Sequence, residues 1–324
     1  MKVLVCGGAG YIGSHMVRAL LASGREVVVY DNLSTGHREA LPDVELVVGD
    51  LCDGEALART FATHRIGAVL HFAARSLVGE SVALPLDYYA QNVGGTLNLL
   101  QAMVRAGVDR CVFSSTAAVY GIPEAELIDE SSATQPINPY GASKLMVERV
   151  LADAATAHGL RSVAFRYFNA AGADPSGEIG ESHEPETHLI PNVLRSVLGT
   201  GPALQVFGDD YPTPDGTCVR DYVHVSDLAA AHLKALDYLH DNDGAAVFNL
   251  GSNDGFSVRQ VIEAAERVTG RGISYAMRPR RAGDPPKLVA SSALARSKLG
   301  WEPEYGDLNT ILSTAWQWHS AQRY

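Results

Sequence analysis

The stretch GGAGYIG, residues 7–13, directly follows the apolar run KVLVC at residues 2–6 and places glycines at positions 7, 10 and 13. Glycine after a buried strand lets the backbone turn tightly and approach a pyrophosphate closely. The apolar pattern after Gly13 predicts a helix, whose free N–H groups and positive dipole end would face the negative charge. This order predicts a dinucleotide site, against the alternative of a structural glycine-rich turn.

Short apolar, β-branched runs alternate with helical patterns through the first half of the chain. Such runs are typical of strands buried on both faces. Strands are predicted at 2–7, 26–31, 44–50, 68–73, 110–115 and 161–169, and helices near 12–23, 55–64, 88–106 and 139–158. The alternation predicts an α/β fold with a Rossmann-type doubly wound parallel sheet.

The sequence changes character after Asn169, where a long loop rich in glycine, proline and acidic residues begins. We expect residues 1–170 to form the nucleotide-binding domain and residues 171–324 a smaller C-terminal α/β lobe that binds the substrate. Two strand-like pieces within 222–251, YVHV and VFNLG, are candidates to rejoin the first sheet.

Composition and charge exclude several classes of protein. The 324 residues are 46% hydrophobic and 19% charged, with a net charge of −11 and no long basic run, which argues against a nucleic-acid partner. No apolar stretch reaches bilayer length, and the apolar start is too short for a signal peptide. We therefore expect a cytoplasmic enzyme or binding module without a membrane partner.

The metal-ligating residue types show no familiar spacing. The cysteines, at positions 6, 52, 111 and 218, are far apart and form no Cys-x-x-Cys pair. HEPETH at 183–188 differs from a zinc-protease helix because its histidines are five apart and Pro185 lies between them. We therefore expect reduced thiols and no metal site.

Acidic residues end two of the predicted strands. Asp31 ends the second strand, 18 residues after Gly13, where a carboxylate can bind ribose hydroxyls and repel a 2′-phosphate. This position predicts NAD rather than NADP, although a turn residue is the alternative for Asp31. Asp50 ends the third strand and is a candidate for the adenine side or for a turn.

Hydroxyl, phenol and ammonium groups follow the fifth strand. Ser114, Ser115 and Thr116 lie where that strand ends, and NPYGASK at 138–144 places Tyr140 and Lys144 on one helix face. An ammonium beside a phenol favours its ionised form, which at pH 7 requires lowering the tyrosine pKa by about three units. The set can move a proton while a hydride moves, whereas turn serines and a surface helix pair are the alternatives.

Many ordered motifs together resemble one known family. They are GGAGYIGSH, DNLSTGHR, HFAARSLVGESVALPLDYY, NVGGTLNLL, FSSTAAVYG, PYGASKLMVE, RYFNAAGA, HLIPNVL, VFGDDYPTPDGTCVRDYVHVSDLA, NLGS and RRAGDPPKLVA. They resemble the extended short-chain dehydrogenase/reductases, and within them the UDP-glucose 4-epimerases, essentially end to end.

The resemblance implies specific roles. Tyr140 would be the acid/base, Lys144 would bind the nicotinamide ribose and lower the phenol's pKa, and Thr116 would bind the sugar's 4-hydroxyl. The residues implied around NAD are Gly7, Gly10, Tyr11, Ile12, Gly13, Asp31, Asn32, Asp50, Leu51, Phe72, Ala73, Asn92, Tyr140 and Lys144. The residues implied around the UDP-sugar are Ser76, Thr116, Tyr140, Tyr167, Asn169, His188, Leu189, Arg220, Arg281 and Asp284.

The implied reaction is reversible 4-epimerisation of UDP-galactose and UDP-glucose, through a 4-keto sugar and a hydride returned to its opposite face. Nucleotide-sugar dehydratases and decarboxylases carry an acid where this chain has Ala117 and Ala118, which cannot transfer protons. Epimerisation of a related, N-acetylated UDP-sugar stays open at Leu288, and a catalytically silent NAD-binding protein is a further alternative. The resemblance also implies a homodimer through the helices near 88–106 and 139–158.

Overall fold

The computed structural model describes residues 1–281 and 284–324, and a parallel seven-stranded sheet forms its centre. The strands are β1 (Lys2–Cys6), β2 (Glu26–Asp31), β3 (Glu45–Val48), β4 (Ile66–His71), β5 (Arg110–Ser114), β6 (Arg161–Arg166), β7 (Asn169–Ala171), β8 (Leu204–Phe207), β9 (Val219–Arg220), β10 (Tyr222–His224), β11 (Ala245–Asn249), β12 (Phe256–Ser257), β13 (Tyr275–Arg278) and β14 (Lys287–Leu288). The order β11-β6-β5-β4-β1-β2-β3 confirms the predicted doubly wound fold.

Helices cover both faces of this sheet because successive strand side chains point to opposite sides. The helices are α1 (Tyr11–Ala22), α2 (Gly54–Thr63), α3 (Val78–Ala83), α4 (Pro85–Tyr88), α5 (Gly95–Ala106), α6 (Pro139–His158), α7 (Leu189–Leu198), α8 (Val225–Asp241), α9 (Val258–Thr269), α10 (Ala293–Leu299) and α11 (Leu308–Ser320). Val3 and Val5 pack with α1 and α8, whereas Leu4 and Cys6 pack with α2, α5 and α6.

The second half of the chain contributes to both parts of the molecule. β11 pairs in parallel with β6 and so forms one edge of the central sheet, while β10 pairs with β7 outside it. A separate core joins α7, α9 and α11 with the paired strands β8 and β13. The short strands β12, β9 and β14 form a further small sheet.

The helix expected over 88–106 is divided. α4 leads into a π-helical turn at Tyr89–Gly94, and α5 begins only at Gly95. Asn92 lies in the wide turn, where its side-chain amide donates to the carbonyl oxygen of Arg75 and accepts from the Arg75 backbone N–H. Such turns commonly re-aim side chains near functional sites. None of the helices in the described ranges combines the length and the apolarity that crossing a bilayer requires.

Candidate active site

The glycine turn lies at the carboxyl end of β1, beside the end of β4. Gly7 has φ +77°, and a Cβ there would lie 2.5 Å from the backbone nitrogen of Ala73. A Cβ on Gly13 would overlap the carbonyl oxygen of Gly7. The fold itself therefore requires glycine at both positions.

Gly10 differs from these two because its neighbours do not require glycine. It has φ −77°, which any residue adopts, and a Cβ there would meet only the Gly7 carbonyl oxygen, at 3.5 Å, among the described residues. The space beside Gly10 adjoins the first turn of α1, whose backbone N–H groups attract anions. The turn therefore fits a dinucleotide pyrophosphate, and the missing side chain leaves room for it.

Asp31 ties the glycine turn to the end of β2. One carboxylate oxygen accepts from the backbone N–H of Ala9 at 2.9 Å, and the other accepts from that of Leu33 at 2.8 Å. The bond with Leu33 closes a turn after β2, which is the turn role given above as the alternative for Asp31. Each oxygen keeps a free lone pair, so the carboxylate can still accept from a ribose hydroxyl.

The remaining residues predicted around the dinucleotide line the ends of neighbouring strands. Asn32 donates to the carboxylate of Asp50 at 2.7 Å, which links the ends of β2 and β3. The backbone N–H groups of Phe72 and Ala73 both donate to the carbonyl oxygen of Cys6, at 2.8 and 3.0 Å. Ile12 and Leu51 pack on opposite faces of the sheet, as expected beyond a strand end.

Tyr11 follows the glycine turn in sequence, but its side chain contacts the second lobe. Its phenol donates to the carbonyl oxygen of Gly172 at 2.7 Å, and its ring meets that of His183 edge-on with 6.2 Å between centroids. Tyr11 therefore links the first helix to the loop that follows β7.

Thr116, Tyr140 and Lys144 lie together beyond the end of β5. Asn138 caps α6 by accepting from the Gly141 N–H at 2.8 Å, and Pro139 occupies the first helical turn. This start orients Lys144, whose Nζ donates to the carbonyl oxygen of Ser114 at 2.7 Å and lies 5.9 Å from the Tyr140 ring centroid. The structure therefore places the hydroxyl, phenol and ammonium at one sheet edge.

Burial dominates the pKa values in this cluster. Burial raises the pKa of Tyr140, and a hydrogen bond with Thr116 opposes this only in part. Burial also lowers the pKa of Lys144 to about 7, against the attraction of Glu148. The prediction that Lys144, together with the nicotinamide, lowers the pKa of Tyr140 stays a prediction, since burial and Thr116 account for the shift in the protein alone.

A buried ion pair between α6 and β6 lies next to this cluster, and the sequence did not predict it. Arg166 donates to both carboxylate oxygens of Glu148, at 3.0 and 2.5 Å, and to the Tyr120 hydroxyl at 2.9 Å. Ser115, on the strand-end loop, donates to the same carboxylate at 2.5 Å. The pair fixes α6 against β6 and against the segment that carries Thr116.

Three of the predicted sugar-binding residues lie in the segments that follow β4 and β6. The Tyr167 hydroxyl is 2.5 Å from the hydroxyl of Ser114, and Asn169 donates to the carbonyl oxygen of Asp221 at 2.8 Å. Ser76 lies exposed in the segment after β4. These positions place polar groups around the end of the central sheet.

The other predicted substrate residues form a second group. Arg220, in β9, pairs with Asp284 and donates to the carbonyl oxygen of Val219 at 2.7 Å. The guanidinium of Arg281 lies 4.1 Å from the Phe207 ring centroid. Leu288 is the register partner of Arg220 in the neighbouring strand β14.

His188 and Leu189 lie where the long loop enters α7. His188 contacts Glu181 and Glu186 through Nδ1, and these hydrogen bonds outweigh the effect of burial and raise its pKa to about 10. Together with His183 these residues form one cluster. The sequence analysis considered His183 and His188 and set them aside as metal ligands, because the irregular loop that brings them to Glu181 has no helical spacing.

Comparisons with known proteins show the family to which the chain is similar. Residues 3–251 match the model of the NAD dependent epimerase/dehydratase family. A UDP-glucose 4-epimerase of Lacticaseibacillus casei is 52% identical over 320 residues, which cover 98% of this chain and 97% of that protein. The structure of UDP-glucose 4-epimerase from Brucella ovis in complex with NAD is 51% identical, with a TM-score of 0.95 and 97% of each chain covered. That from Bifidobacterium longum, with NAD⁺ and UDP, is 40% identical, with a TM-score of 0.94 and 99% of each chain covered.

Proposed function

The chain belongs to the NAD dependent epimerase/dehydratase family, and we propose that it interconverts UDP-galactose and UDP-glucose by inverting carbon 4 of the hexose. The observation that carries this proposal is the meeting of Thr116, Tyr140 and Lys144 at the end of β5, where the adjacent Ala117 and Ala118 offer no acid for elimination. The chain is thus an NAD-dependent isomerase that supplies UDP-galactose or removes it.

The residues of the cluster divide the proton transfer between them. Tyr140, as the phenolate, takes the proton of the 4-hydroxyl and later returns it, and Thr116 holds that hydroxyl by a hydrogen bond. Lys144, oriented by the Ser114 carbonyl oxygen, binds the nicotinamide ribose. When bound, NAD supplies the hydride acceptor and a positive charge beside the phenol. That positive charge lowers the pKa of Tyr140 and so opposes burial, which alone raises it.

The two lobes divide the binding. We infer that residues 1–170, completed by β11, hold NAD, and that residues 171–324 supply most contacts to the UDP-sugar. Arg220 and Arg281 suit the diphosphate, because guanidinium groups bind phosphate oxygens in pairs, and Asp284 orients Arg220. Tyr167, Asn169, His188, Leu189 and Ser76 complete the proposed substrate site.

The experiment that tests the function follows UDP-galactose by proton NMR with purified protein and no added NAD, together with absorbance of reduced nicotinamide. We expect UDP-glucose to appear without accumulation of NADH. If the sugar is unchanged even after NAD is added, the proposed substrate is wrong. UDP-N-acetylglucosamine in a parallel sample tests the alternative left open at Leu288.

The glycine turn gives a prediction about the cofactor. Gly10→Ala should weaken NAD binding about 10- to 100-fold, because a methyl group would enter the space left for the pyrophosphate. Folding should change by only about 0.5 kcal/mol, since the new Cβ meets no described atom closer than 3.5 Å. NAD retained per chain after dialysis and the urea midpoint measure the two effects.

The matched control for this prediction is Gly272→Ala. Its Cβ would meet nothing within 4 Å among the described residues, and it lies in the other lobe, so NAD binding should stay unchanged. Wild-type NAD affinity in Gly10→Ala would show that the pyrophosphate does not approach this turn.

We also infer a cytoplasmic homodimer. Exposed apolar side chains at Leu97 and Val104 lie on one face of α5, and Met146 is exposed on α6, as a two-fold helical interface requires. The cysteines of the described chain are free, which suits a reducing compartment. Light scattering should give the mass of two chains; the mass of one chain would contradict the dimer.

A further inference from the structure

Four side chains of the loop between β7 and α7 converge on one point. Glu181, His183, Glu186 and His188 each offer one ligand atom, and these atoms lie within 4.8 Å of one another. Oε1 of Glu181 is 3.1 Å from Nδ1 of His183 and 2.9 Å from Nδ1 of His188. Nδ1 of His188 is also 2.9 Å from Oε1 of Glu186, whose Oε2 is 3.8 Å from Nδ1 of His183.

These distances have the spacing of a tetrahedral coordination shell. Zn²⁺ binds imidazole nitrogen and carboxylate oxygen at about 2.0–2.2 Å, so neighbouring ligand atoms lie about 3.3–3.6 Å apart. The carboxylate–imidazole distances of 2.9–3.8 Å bracket that range, and the four ligand atoms as a set lie within 4.8 Å, so small side-chain rotations bring them to that spacing. Hydrogen bonding alone satisfies this arrangement poorly, because Nδ1 of His188 carries at most one hydrogen and faces two carboxylate oxygens.

The charges of the cluster also favour a bound cation. The side chains of Glu181 and Glu186 are only 5% and 3% exposed, so two carboxylates lie close together largely out of water. A protonated His188 offsets only one of these two negative charges. A divalent cation balances both charges and uses the imidazole nitrogens as ligands rather than as proton carriers.

A cavity beside the cluster gives an ion a path to it and is also lined by a histidine nitrogen without a partner. Glu181, His183 and Glu186 line a cavity of about 440 Å³ that His319 also lines. His319 is only 9% exposed, and its Nδ1 has no hydrogen-bond partner among residues 1–281 and 284–324. The half-exposed rings of His183 and His188 leave the cluster accessible from solvent.

We propose that Glu181, His183, Glu186 and His188 bind one divalent transition-metal ion of the zinc class. Two imidazoles and two carboxylates suit Zn²⁺, and four protein ligands leave no open position, which is the pattern of a structural rather than a catalytic site. The ion would fasten the loop that leads into α7 at Leu189 and that Tyr11, at the start of α1, contacts through His183.

The test measures metal binding directly and does not depend on turnover or on the proposed substrate. The purified full chain, stripped with a chelator and dialysed against micromolar Zn²⁺, should hold one zinc per chain by elemental analysis. The Co²⁺-loaded protein should show the intense visible absorption of a tetrahedral site. His183→Gln and Glu186→Gln should each weaken binding about 100-fold or more.

His158→Gln is the matched control, since His158 is an exposed histidine at the end of α6 and should leave the zinc content at one per chain. Zinc absent from the wild-type protein, or retained equally by both ligand variants, would overturn the site. Circular dichroism shows whether His183→Gln folds. If it does not, the zinc content of Glu186→Gln and the cobalt spectrum of the wild-type protein test the site instead.

Discussion

Tyr140→Phe should lower kcat about 10²–10⁴-fold, because the substitution removes the oxygen that takes the proton of the 4-hydroxyl and returns it. NAD content should stay at the wild-type level, since the ring and Lys144 remain in place. Loss of a single hydrogen bond with Thr116 should change the free energy of unfolding by about 1 kcal/mol. Epimerisation rate, NAD per chain and urea unfolding measure these three effects on one preparation.

The control for this substitution is Tyr275→Phe. Tyr275 is exposed in β13, in the other lobe, so the same chemical change there should leave kcat unaltered. Turnover at the wild-type rate in Tyr140→Phe would remove the tyrosine from the mechanism. Loss of turnover together with loss of NAD would instead assign Tyr140 a binding role.

The second large effect concerns stability. Glu148→Gln should lower the free energy of unfolding by about 3–5 kcal/mol, because it leaves the Arg166 guanidinium buried without a counter-charge. The two side chains are only 6% and 7% exposed, so water cannot compensate the loss. Ser115 also loses the charged acceptor of its 2.5 Å hydrogen bond. Urea unfolding of the two proteins gives the difference directly.

A surface ion pair on the same helix provides the comparison. Arg149 and Asp153 are 80% and 66% exposed, so Asp153→Asn should cost no more than about 0.5 kcal/mol. The double variant Glu148→Gln/Arg166→Met should recover part of the loss, because it removes the unpaired charge as well. A Glu148→Gln variant as stable as Asp153→Asn would mean that the buried pair does not support the catalytic cluster.

Much of the fold could be predicted from local pattern. The apolar runs at β1, β2, β4, β5 and β6 are uninterrupted and end in glycine or polar residues, so their strand character is independent of the rest of the chain. The glycine turn and the Tyr140–Lys144 spacing are likewise short-range features. They placed the predicted site at the carboxyl edge of the sheet.

The properties that could not be predicted depend on long-range packing. The pKa of Tyr140 follows from burial by distant elements, which residue spacing cannot report. The partnership of Glu148 with Arg166 joins a helix to a strand and has no sequence signature. The π-helical turn at Tyr89–Gly94 could not be predicted because the sequence on both sides of it has ordinary helical periodicity. The contact of Asn92 with Arg75 in this turn forms only in the folded chain.

The position of β11 at the edge of the central sheet affects the order in which the chain can fold. During synthesis, β6 leaves the ribosome almost eighty residues before Ala245–Asn249, its partner on one side. Until then the N-terminal sheet exposes an unpaired edge of backbone N–H and C=O groups, which other chains can join. A fragment ending near residue 170 would keep that edge permanently open, so we expect it to self-associate through β6.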